Sequence, residues 1–250
     1  MSADWPKGVG RHTLDTVDST NAFGFRLPEV PAWVLAGEQT AGRGRRGRAW
    51  SSPPGNFYGS LILTPDDPPE RMALRSFVAA LALRDALVAL TGLPQVFALK
   101  WPNDVLLNGG KLSGILLEGQ AGRLAVGIGV NLIGAPPAEG VEPQALRPVS
   151  LKAETGLHVA PSQLLDRLAP AFALREAQLA ADFDTIRRDF LSHAARLGER
   201  IVARTMSATY EGVFRTIDAS GALLLDTAEG PMLIPAADIF FAERAHASGH

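Results

Sequence analysis

Four arginines and three glycines are interleaved in one short stretch, within the segment G-E-Q-T-A-G-R-G-R-R-G-R-A-W at residues 37–50. They are Arg43, Arg45, Arg46 and Arg48, with Gly42, Gly44 and Gly47 between them. Glycine lets the backbone adopt positive φ and approach a ligand closely, and guanidinium groups present planar, forked donors that suit phosphate and carboxylate. Because the formal net charge of the whole chain is only −2, this positive charge is local. The stretch, called the Arg/Gly loop below, is typical of an anion-binding site or of a solvated basic segment with weak affinity for nucleic acid.

A second polar segment, L-K-W-P-N-D-V-L-L-N-G-G-K-L-S-G-I-L-L-E-G, covers residues 99–119. It contains Lys100 and Lys111, two of only four lysines in a chain that otherwise uses arginine. This concentration favours a functional interpretation of the Arg/Gly loop, because the two segments together supply cations of both kinds.

Several other kinds of site are excluded or lack a signature. Residues 42–47 satisfy G-x-G-x-x-G, but a Rossmann turn must open a helix, and Pro53, Pro54 and Gly55 follow too closely. The chain has no cysteine and no G-x-S-x-G, so thiolate nucleophiles and disulfides are excluded and acyl-enzyme chemistry has no signature. Its five histidines lack ligand spacing, so we expect no transition-metal site. A site of Arg, Lys, Asn, Asp and backbone amides suits phosphoryl or adenylyl transfer.

The two segments, with D-S-T-N at residues 18–21 before them and V-G-I-G-V-N at residues 126–131 after them, resemble the biotin protein ligases in order and spacing. The resemblance covers roughly residues 12–134, with a looser match to the end. It implies a biotin–[acetyl-CoA-carboxylase] ligase that forms biotinyl-5′-AMP from biotin and ATP. A lysine of a biotin carboxyl carrier protein, in acetyl-CoA carboxylase or another biotin-dependent carboxylase, then takes the biotin. Mg²⁺ is expected through the ATP, with no metal site of the protein's own.

The resemblance also implies the site residues. Those implied to bind biotin are Ser19, Thr20, Asn21, Gln39, Arg43, Gly44, Arg45, Lys111 and Gly114. Those implied to bind ATP or the adenylate are Arg43, Arg45, Arg46, Arg48, Trp50, Asn103, Lys111 and Asn131. The implied catalytic residues are Lys111, Arg45 and Asp104, with Asp104 either placing Mg²⁺ or accepting the proton of the target lysine. Ser19 also suits a helix N-cap, and Trp50 suits core or lid packing.

Short strands and helices must position these residues. The predicted strands are 11–17, 33–38, 57–64, 96–101, 105–107, 112–118 and 124–132. The predicted helices are 18 or 19 to about 26, an amphipathic 69–91, 161–182 with a kink or break at Pro170, and 182–197. Short turns between the last four strands require antiparallel hairpins, since parallel neighbours need a crossover. The predicted fold is α+β, a mostly antiparallel mixed sheet packed with helices, and the resemblance implies the class II synthetase-like biotin/lipoate ligase fold.

The pattern changes after Gly198 to short strands at 200–205, 208–217, 222–226 and 231–235. They predict a small β-barrel, SH3-like by the resemblance. The expected domains are a catalytic biotin/ATP-binding domain at 1–196, the SH3-like domain at 197–242 and a disordered tail at 243–250. Seventeen residues precede Asp18, so we do not expect the N-terminal DNA-binding domain that some members of the resembled family carry.

The bulk properties are those of an ordinary globular protein of 250 residues, with 46% hydrophobic and 20% charged residues. The chain has no apolar run long enough to span a membrane and no signal peptide, so we expect a cytoplasmic protein without membrane partners. A pI near 6.2 gives no general attraction for nucleic acid. The resembled family often pairs through edge strands, which leaves a homodimer open.

Three alternatives remain. A lipoate or octanoate ligase belongs to a similar family, but its R-R-x-x-G-G-G pattern is absent. The Arg/Gly loop also suits a non-catalytic nucleic-acid-binding protein, whose binding would depend steeply on salt. A ligand-sensing regulator is the third, and the missing DNA-binding domain argues against it.

Overall fold

The computed structural model describes residues 4–137 and 145–241. The predicted tail at 243–250 lies outside the described residues. A seven-stranded sheet forms the centre of the molecule. Its strands are β1 (Gly10–Val17), β2 (Ala32–Gln39), β3 (Phe57–Leu63), β4 (Phe97–Lys100), β5 (Asp104–Leu107), β6 (Gly110–Gln120) and β7 (Arg123–Val130), in the order β1-β2-β3-β7-β6-β5-β4.

The strand directions confirm the predicted mostly antiparallel mixed sheet. The hairpins that join β4 to β7 in succession are antiparallel, as their short turns require. β1 and β2 are parallel, and a crossover that contains the helix α1 (Thr20–Phe25) joins them. Because parallel strands end at the same edge, residues 18–21 after β1 lie beside Gln39 at the end of β2.

The described residues contain five further α-helices. They are α2 (Pro69–Ala73), α3 (Arg75–Thr91), α4 (Leu151–Thr155), α5 (Pro161–Ala181) and α6 (Phe183–Ser192). Of these, α3 and α5 pack on the large sheet. The predicted helix at 69–91 is therefore two helices that meet at Leu74. The helix predicted at 182–197 ends at Ser192, and α4 was not predicted. Pro170 lies inside α5 without breaking it, so of the two predicted outcomes the break is wrong and the kink stays a prediction.

The prediction that the helix at 69–91 is amphipathic was also wrong for α3, which is buried over most of its circumference. It lies between the sheet and the helices α5 and α6, so apolar residues are favoured all round. Its two arginines are buried with partners. Arg75 contacts Asp67 at 2.7 Å and Glu176 at 2.6 Å, and Arg84 donates to the carbonyl oxygen of Phe97 at 3.2 Å. Paired in this way, buried charges are tolerated in the core.

A five-stranded antiparallel sheet follows the helices. Its strands are β8 (Arg200–Arg204), β9 (Thr209–Ile217), β10 (Leu223–Thr227), β11 (Gly230–Ile234) and β12 (Asp238–Phe241), in the order β11-β10-β9-β8-β12. The first four were predicted and β12 was missed. Trp101 Nε1 donates to the carbonyl oxygen of Gly221 at 3.0 Å, and Arg187 donates to that of Ile217 at 3.0 Å. These bonds attach the C-terminal sheet to α6 and to the residue that follows β4. No helix of the described residues is long and apolar enough to cross a membrane.

Candidate active site

One cavity of about 470 Å³ lies where the Arg/Gly loop, the middle of the large sheet and the start of β12 meet. It collects most of the predicted site residues: Ser19, Thr20, Asn21, Gln39, Arg43, Gly44, Arg45, Arg48, Trp50, Asn103, Asp104, Lys111 and Gly114. Arg46 and Asn131 are not in its wall. The cavity therefore brings together segments that are far apart in the chain.

Uncharged amides and hydroxyls form one end of the cavity. The backbone N–H of Thr20 and its hydroxyl both donate to Gln39 Oε1, at 2.9 and 3.1 Å. Gln39 Nε2 donates to Ser52 Oγ at 3.2 Å. Ser19 occupies the N-cap position of α1, but its side chain makes no capping hydrogen bond. The Gln39 amide is thus held in one orientation, with its oxygen toward α1.

Asn21 is fixed on both sides of its amide. Its Nδ2 donates to Glu118 Oε2 at 2.8 Å, and Ser60 Oγ donates to its Oδ1 at 2.5 Å. Gly127 of β7 leaves the room for this side chain, because a Cβ there would lie 2.5 Å from Asn21 Oδ1. Glu118, Ser60 and Gly127 were not predicted as site residues, although Glu118 lies in the polar segment at 99–119. The network holds Asn21 rigidly at the cavity wall.

The Arg/Gly loop is a closed turn whose glycines have different roles. Gly44 N–H donates to the carbonyl oxygen of Arg48 at 2.7 Å, and a short 3₁₀ turn, Arg45–Gly47, lies between them. Positive φ occurs at Arg46 (56°) and Gly47 (72°). Gly42 is needed for close approach, because a Cβ there would lie 2.7 Å from the carbonyl oxygen of Trp50. The freedom of φ that the sequence indicated for the loop glycines is therefore used at Gly47 alone among the three.

Three arginines of the loop surround Asp238, the first residue of β12. Arg46 Nη1 lies 2.8 Å and Arg48 Nη2 3.0 Å from Asp238 Oδ2, and Arg45 Nη1 lies 3.9 Å from Oδ1. Arg45 also donates to Asn103 Oδ1 and to the carbonyl oxygen of Ala237, each at 3.4 Å. Burial lowers the pKa of Arg45, and Asp238 and Asp104 oppose that shift. Asp238 was not predicted, and it holds Arg46 outside the cavity wall.

The fourth loop arginine points toward the amide end of the cavity. Arg43 Nη2 lies 3.2 Å from Glu118 Oε1, the same carboxylate that accepts a hydrogen bond from Asn21. The arginine end and the amide end of the cavity are thus joined through one glutamate.

Asp104 lies between the two lysines of the polar segment. Its Oδ1 is 2.8 Å from Lys111 Nζ and its Oδ2 is 3.4 Å from Lys100 Nζ. Burial would raise the pKa of Asp104, but the charges of Lys111 and Lys100 and their hydrogen bonds hold it below its usual value. Burial lowers the pKa of Lys100, with Asp104 acting against this shift. Asp104 is accordingly a carboxylate at neutral pH, and Lys100 is a further cavity residue that was not predicted.

Trp50 lies against the glycines of the two central strands. A Cβ on Gly129 would lie 2.7 Å from Trp50 Cε2, and one on Gly114 would lie 3.2 Å from its Cζ3. Both glycines therefore make room for the indole ring. Its Nε1–H is buried and has no hydrogen-bond partner within the described residues. A buried donor without a partner is unfavourable, so a bound ligand that supplies an acceptor would satisfy it.

The two remaining asparagines make structural hydrogen bonds. Asn131 is buried, and its Nδ2 donates to the carbonyl oxygen of Val149 at 3.1 Å, so its side chain is occupied away from the cavity. Asn103 Nδ2 donates to the carbonyl oxygen of Ile115, which places its Oδ1 in front of Arg45. Asn103 thereby connects β6 to the Arg/Gly loop.

The donor set of the cavity does not fit a metal ion bound by the protein alone. The described residues contain no group of three or more His, Cys, Asp or Glu that could hold one. Both cavity carboxylates are already paired with cations, Asp104 with lysines and Asp238 with arginines.

Comparisons with known proteins identify the family of the chain. The sequence pattern of the biotin/lipoate A/B protein ligase family matches residues 13–133, and that of the biotin protein ligase C-terminal domain matches residues 197–242. The chain is 54% identical to the biotin–[acetyl-CoA-carboxylase] ligase of Paracoccus denitrificans, over 91% of this chain and 99% of the relative. It is 33% identical to the bifunctional ligase/repressor BirA of Bacillus spizizenii, over 92% of this chain and 74% of the relative.

The fold agrees as well. The biotin protein ligase of Aquifex aeolicus in complex with biotin and ATP superposes with a TM-score of 0.82 at 27% identity, over 93% of this chain and 99% of that one. Sequence and fold therefore lead to the same conclusion: the chain belongs to the biotin protein ligase family.

Proposed function

We propose that this protein is an ATP-dependent biotin protein ligase. Biotin and MgATP give biotinyl-5′-AMP and pyrophosphate, and the ε-amine of a carrier lysine then attacks the acyl carbon and releases AMP. The observation that carries the proposal is a single cavity with an uncharged end at Asn21 and Gln39 and a cationic end at Arg45 and Lys111. The uncharged end suits the ureido ring of biotin, which offers both donors and an acceptor. The cationic end suits the biotin carboxylate and the phosphates of ATP.

The cationic end answers an electrostatic requirement of the first half-reaction. A carboxylate must attack the α-phosphate of ATP, and two unit negative charges about 4 Å apart repel by about 4 kcal/mol at an effective dielectric constant near 20. Lys111, Arg45 and Arg48 face the cavity and offset this repulsion. They also stabilise the charge that develops on the phosphate, which is where fixed cations contribute most to rate.

Asp104 acts on this reaction through Lys111. A carboxylate whose pKa lies below its usual value is a weak proton acceptor, because an effective general base has a pKa near the working pH. We therefore assign Asp104 to positioning Lys111, 2.8 Å away, rather than to deprotonating the carrier lysine. Since both carboxylates that line the cavity are paired, Mg²⁺ would enter bound to ATP, where it would neutralise phosphate charge.

The proposed protein substrate is a biotin carboxyl carrier protein in the cytoplasm. This choice is supported by the name of the Paracoccus denitrificans relative, a biotin–[acetyl-CoA-carboxylase] ligase. The match of residues 197–242 to the biotin protein ligase C-terminal domain favours biotin over lipoate or octanoate as the acid.

A two-stage transfer tests the proposal. The purified protein is incubated with biotin and MgATP, passed through a desalting column to remove free ATP, and mixed with a biotin carboxyl carrier domain. We expect one biotin on the carrier by mass spectrometry, together with released AMP. A carrier whose target lysine is replaced by arginine is the matched control and should stay unmodified. Failure to modify the intact carrier would overturn the proposal.

A further inference from the structure

Asp238 is the point at which the C-terminal sheet reaches the cavity. Its side chain is only 13% exposed, and Arg46 and Arg48 both contact its Oδ2. Arg45 lies 3.9 Å from the other oxygen and donates to the carbonyl oxygen of the preceding residue, Ala237. One carboxylate and one carbonyl of the C-terminal sheet thus engage three of the four arginines of the Arg/Gly loop.

The loop arginines have weaker side-chain contacts on the other side of the cavity. On the side of the large sheet, Arg43 meets Glu118 at 3.2 Å with both side chains partly exposed, and Arg45 meets Asn103 at a long 3.4 Å. Exposed ion pairs of this kind contribute little, whereas short charge-assisted hydrogen bonds to a largely buried carboxylate are stronger. Arg46 also holds a positive φ of 56°, which is unfavourable for a residue with a side chain unless its surroundings fix it.

Asp238 also has a fixed position of its own. β12 pairs antiparallel with β8, with Asp238 opposite Arg204 and Phe241 opposite Ile201. A carboxylate on a paired strand is a rigid point of attachment for a loop that has no regular pairing beyond the contact of Arg43 with Ala49.

We propose that Asp238 is a positioning residue that holds the Arg/Gly loop over the cavity and so couples the C-terminal sheet to retention of the acyl-adenylate. The second half of this statement rests on the proposed function. Each guanidinium has five donors, so a phosphate can bind the same arginines while Asp238 keeps part of each fork. The carboxylate also offsets the mutual repulsion of Arg45, Arg46 and Arg48. The loop is therefore ordered before the ligand arrives, and binding does not have to supply that ordering.

Limited trypsin digestion of the ligand-free protein tests the first half directly, because trypsin cleaves after arginine and requires a flexible segment. Asp238→Asn keeps the shape of the side chain and removes its charge. We expect several-fold faster cleavage within residues 43–48 than in wild type, measured by mass spectrometry of the fragments. Asp226→Asn is the matched control, since it removes an aspartate of the same sheet whose partner, Arg215, lies 3.0 Å away on the surface. It should cleave like wild type.

Asp238→Glu adds a second test, because it restores the charge and should restore most of the protection. Unchanged cleavage of Asp238→Asn would overturn the proposal. So would cleavage that rises equally at arginines outside the loop, because that would indicate a general loss of stability.

The catalytic consequence is measured separately. Asp238→Asn should release biotinyl-adenylate into solution several-fold faster than wild type, because Arg45 and Arg48, which face the cavity, lose the carboxylate that orients them. Normal adenylate retention by this variant would contradict the coupling. If wild type formed no adenylate, the proposed function would fail, while the digestion would still decide whether Asp238 orders the loop.

Discussion

Three cations at the cavity are each paired with a carboxylate. Lys111 lies 2.8 Å from Asp104, Arg43 lies 3.2 Å from Glu118, and Arg48 lies 3.0 Å from Asp238. An incoming carboxylate or phosphate therefore shares groups that are already oriented, rather than collecting mobile side chains from solvent. Preoriented charges of this kind stabilise a transition state more than charges that must first reorganise.

Replacing Lys111 tests the cation at the centre of the first half-reaction. Lys111→Ala should slow biotin-dependent pyrophosphate release by about 100- to 1,000-fold, the range seen when one fixed stabilising group is lost from an active site. Lys152→Ala, on the exposed side of α4, is the matched control and should behave as wild type. A rate near wild type for Lys111→Ala would remove Lys111 from the mechanism.

Replacing Arg45 tests retention of the intermediate. Arg45→Gly should fold normally, since the residue lies in a loop. The variant should release the adenylate from the cavity, because it lacks a guanidinium group that faces the cavity. The escaped anhydride would label lysines of a bystander protein, which mass spectrometry detects. Arg45→Lys keeps the charge without the forked donors, so its retention of the adenylate should fall between that of wild type and that of Arg45→Gly. Wild-type retention and selectivity in Arg45→Gly would show that Arg45 has another role.

Most of the site residues predicted from the sequence line the cavity, and the two exceptions have physical reasons. Arg46 is turned toward Asp238, and the amide of Asn131 is used by the carbonyl oxygen of Val149. Neither orientation follows from a local motif, since each depends on a partner distant in the chain. Glu118 lies inside the polar segment at residues 99–119, but its two partners, Asn21 and Arg43, are distant in the chain and are identified only by the structure.

Two pairs of strands position the amide end of the cavity. They are the parallel pair of β1 and β2 and the antiparallel pair of β6 and β7, which forms the floor of the cavity. The crossover through α1 brings Thr20 next to Gln39, and three floor glycines leave room for side chains that lie flat on the sheet. They are Gly114 and Gly129 under Trp50 and Gly127 under Asn21.

Gly127→Ala tests this floor. The new Cβ would lie 2.5 Å from Asn21 Oδ1, so Asn21 must leave its position between Ser60 and Glu118. We expect the KM for biotin to rise about tenfold or more, because small displacements of a positioning group carry large costs. The KM for ATP should change little. Gly119→Ala on β6 is the control, since its Cβ would meet nothing closer than 3.9 Å. An unchanged KM for biotin in Gly127→Ala would place biotin elsewhere.

The hairpins were predictable because short turns admit antiparallel neighbours alone, whereas the helix details were not. The continuity of α5 through Pro170 and the break at Leu74 depend on the packing around them. β12 is only four residues long and follows β11 closely, so its pattern did not stand out in the sequence.

Across the whole molecule, the large sheet and the C-terminal sheet share one apolar core and both contribute to the cavity wall. The contact between Arg48 and Asp238 spans 190 positions of the chain. Sequence patterns describe neighbours along the chain and could not predict this contact. They did predict most strands of the two sheets that the contact joins.

Asp104, Lys100 and Lys111 form a buried charge cluster, which links the site to the stability of the molecule. Asp104→Asn leaves Lys100 without its countercharge, and we expect a loss of about 3 kcal/mol in the free energy of unfolding in urea at pH 7, as when one partner of a buried ion pair is removed. Asp226→Asn breaks an exposed pair with Arg215 and should cost about 0–1 kcal/mol. Equal losses in the two variants would contradict the account of the cluster.

The same variant has a defined pH dependence. Because the pKa of Asp104 is lowered in the folded protein, its stabilising contribution is complete above its unfolded pKa, about 3.9. That contribution is lost as the pH falls through the folded pKa. The difference in unfolding free energy between wild type and Asp104→Asn should therefore shrink in acid below about pH 4. A difference that grew in acid would have the wrong sign.

The ligase function requires that this cavity activate biotin with ATP. The most direct test is pyrophosphate release from MgATP by the purified protein, with biotin, lipoate or octanoate offered in separate reactions and the product acyl-adenylate identified by mass spectrometry. We predict release with biotin alone and a biotinyl-adenylate as the product. Release with lipoate or octanoate in place of biotin would assign the cavity to a different acid, and no release with any of the three would contradict the ligase function.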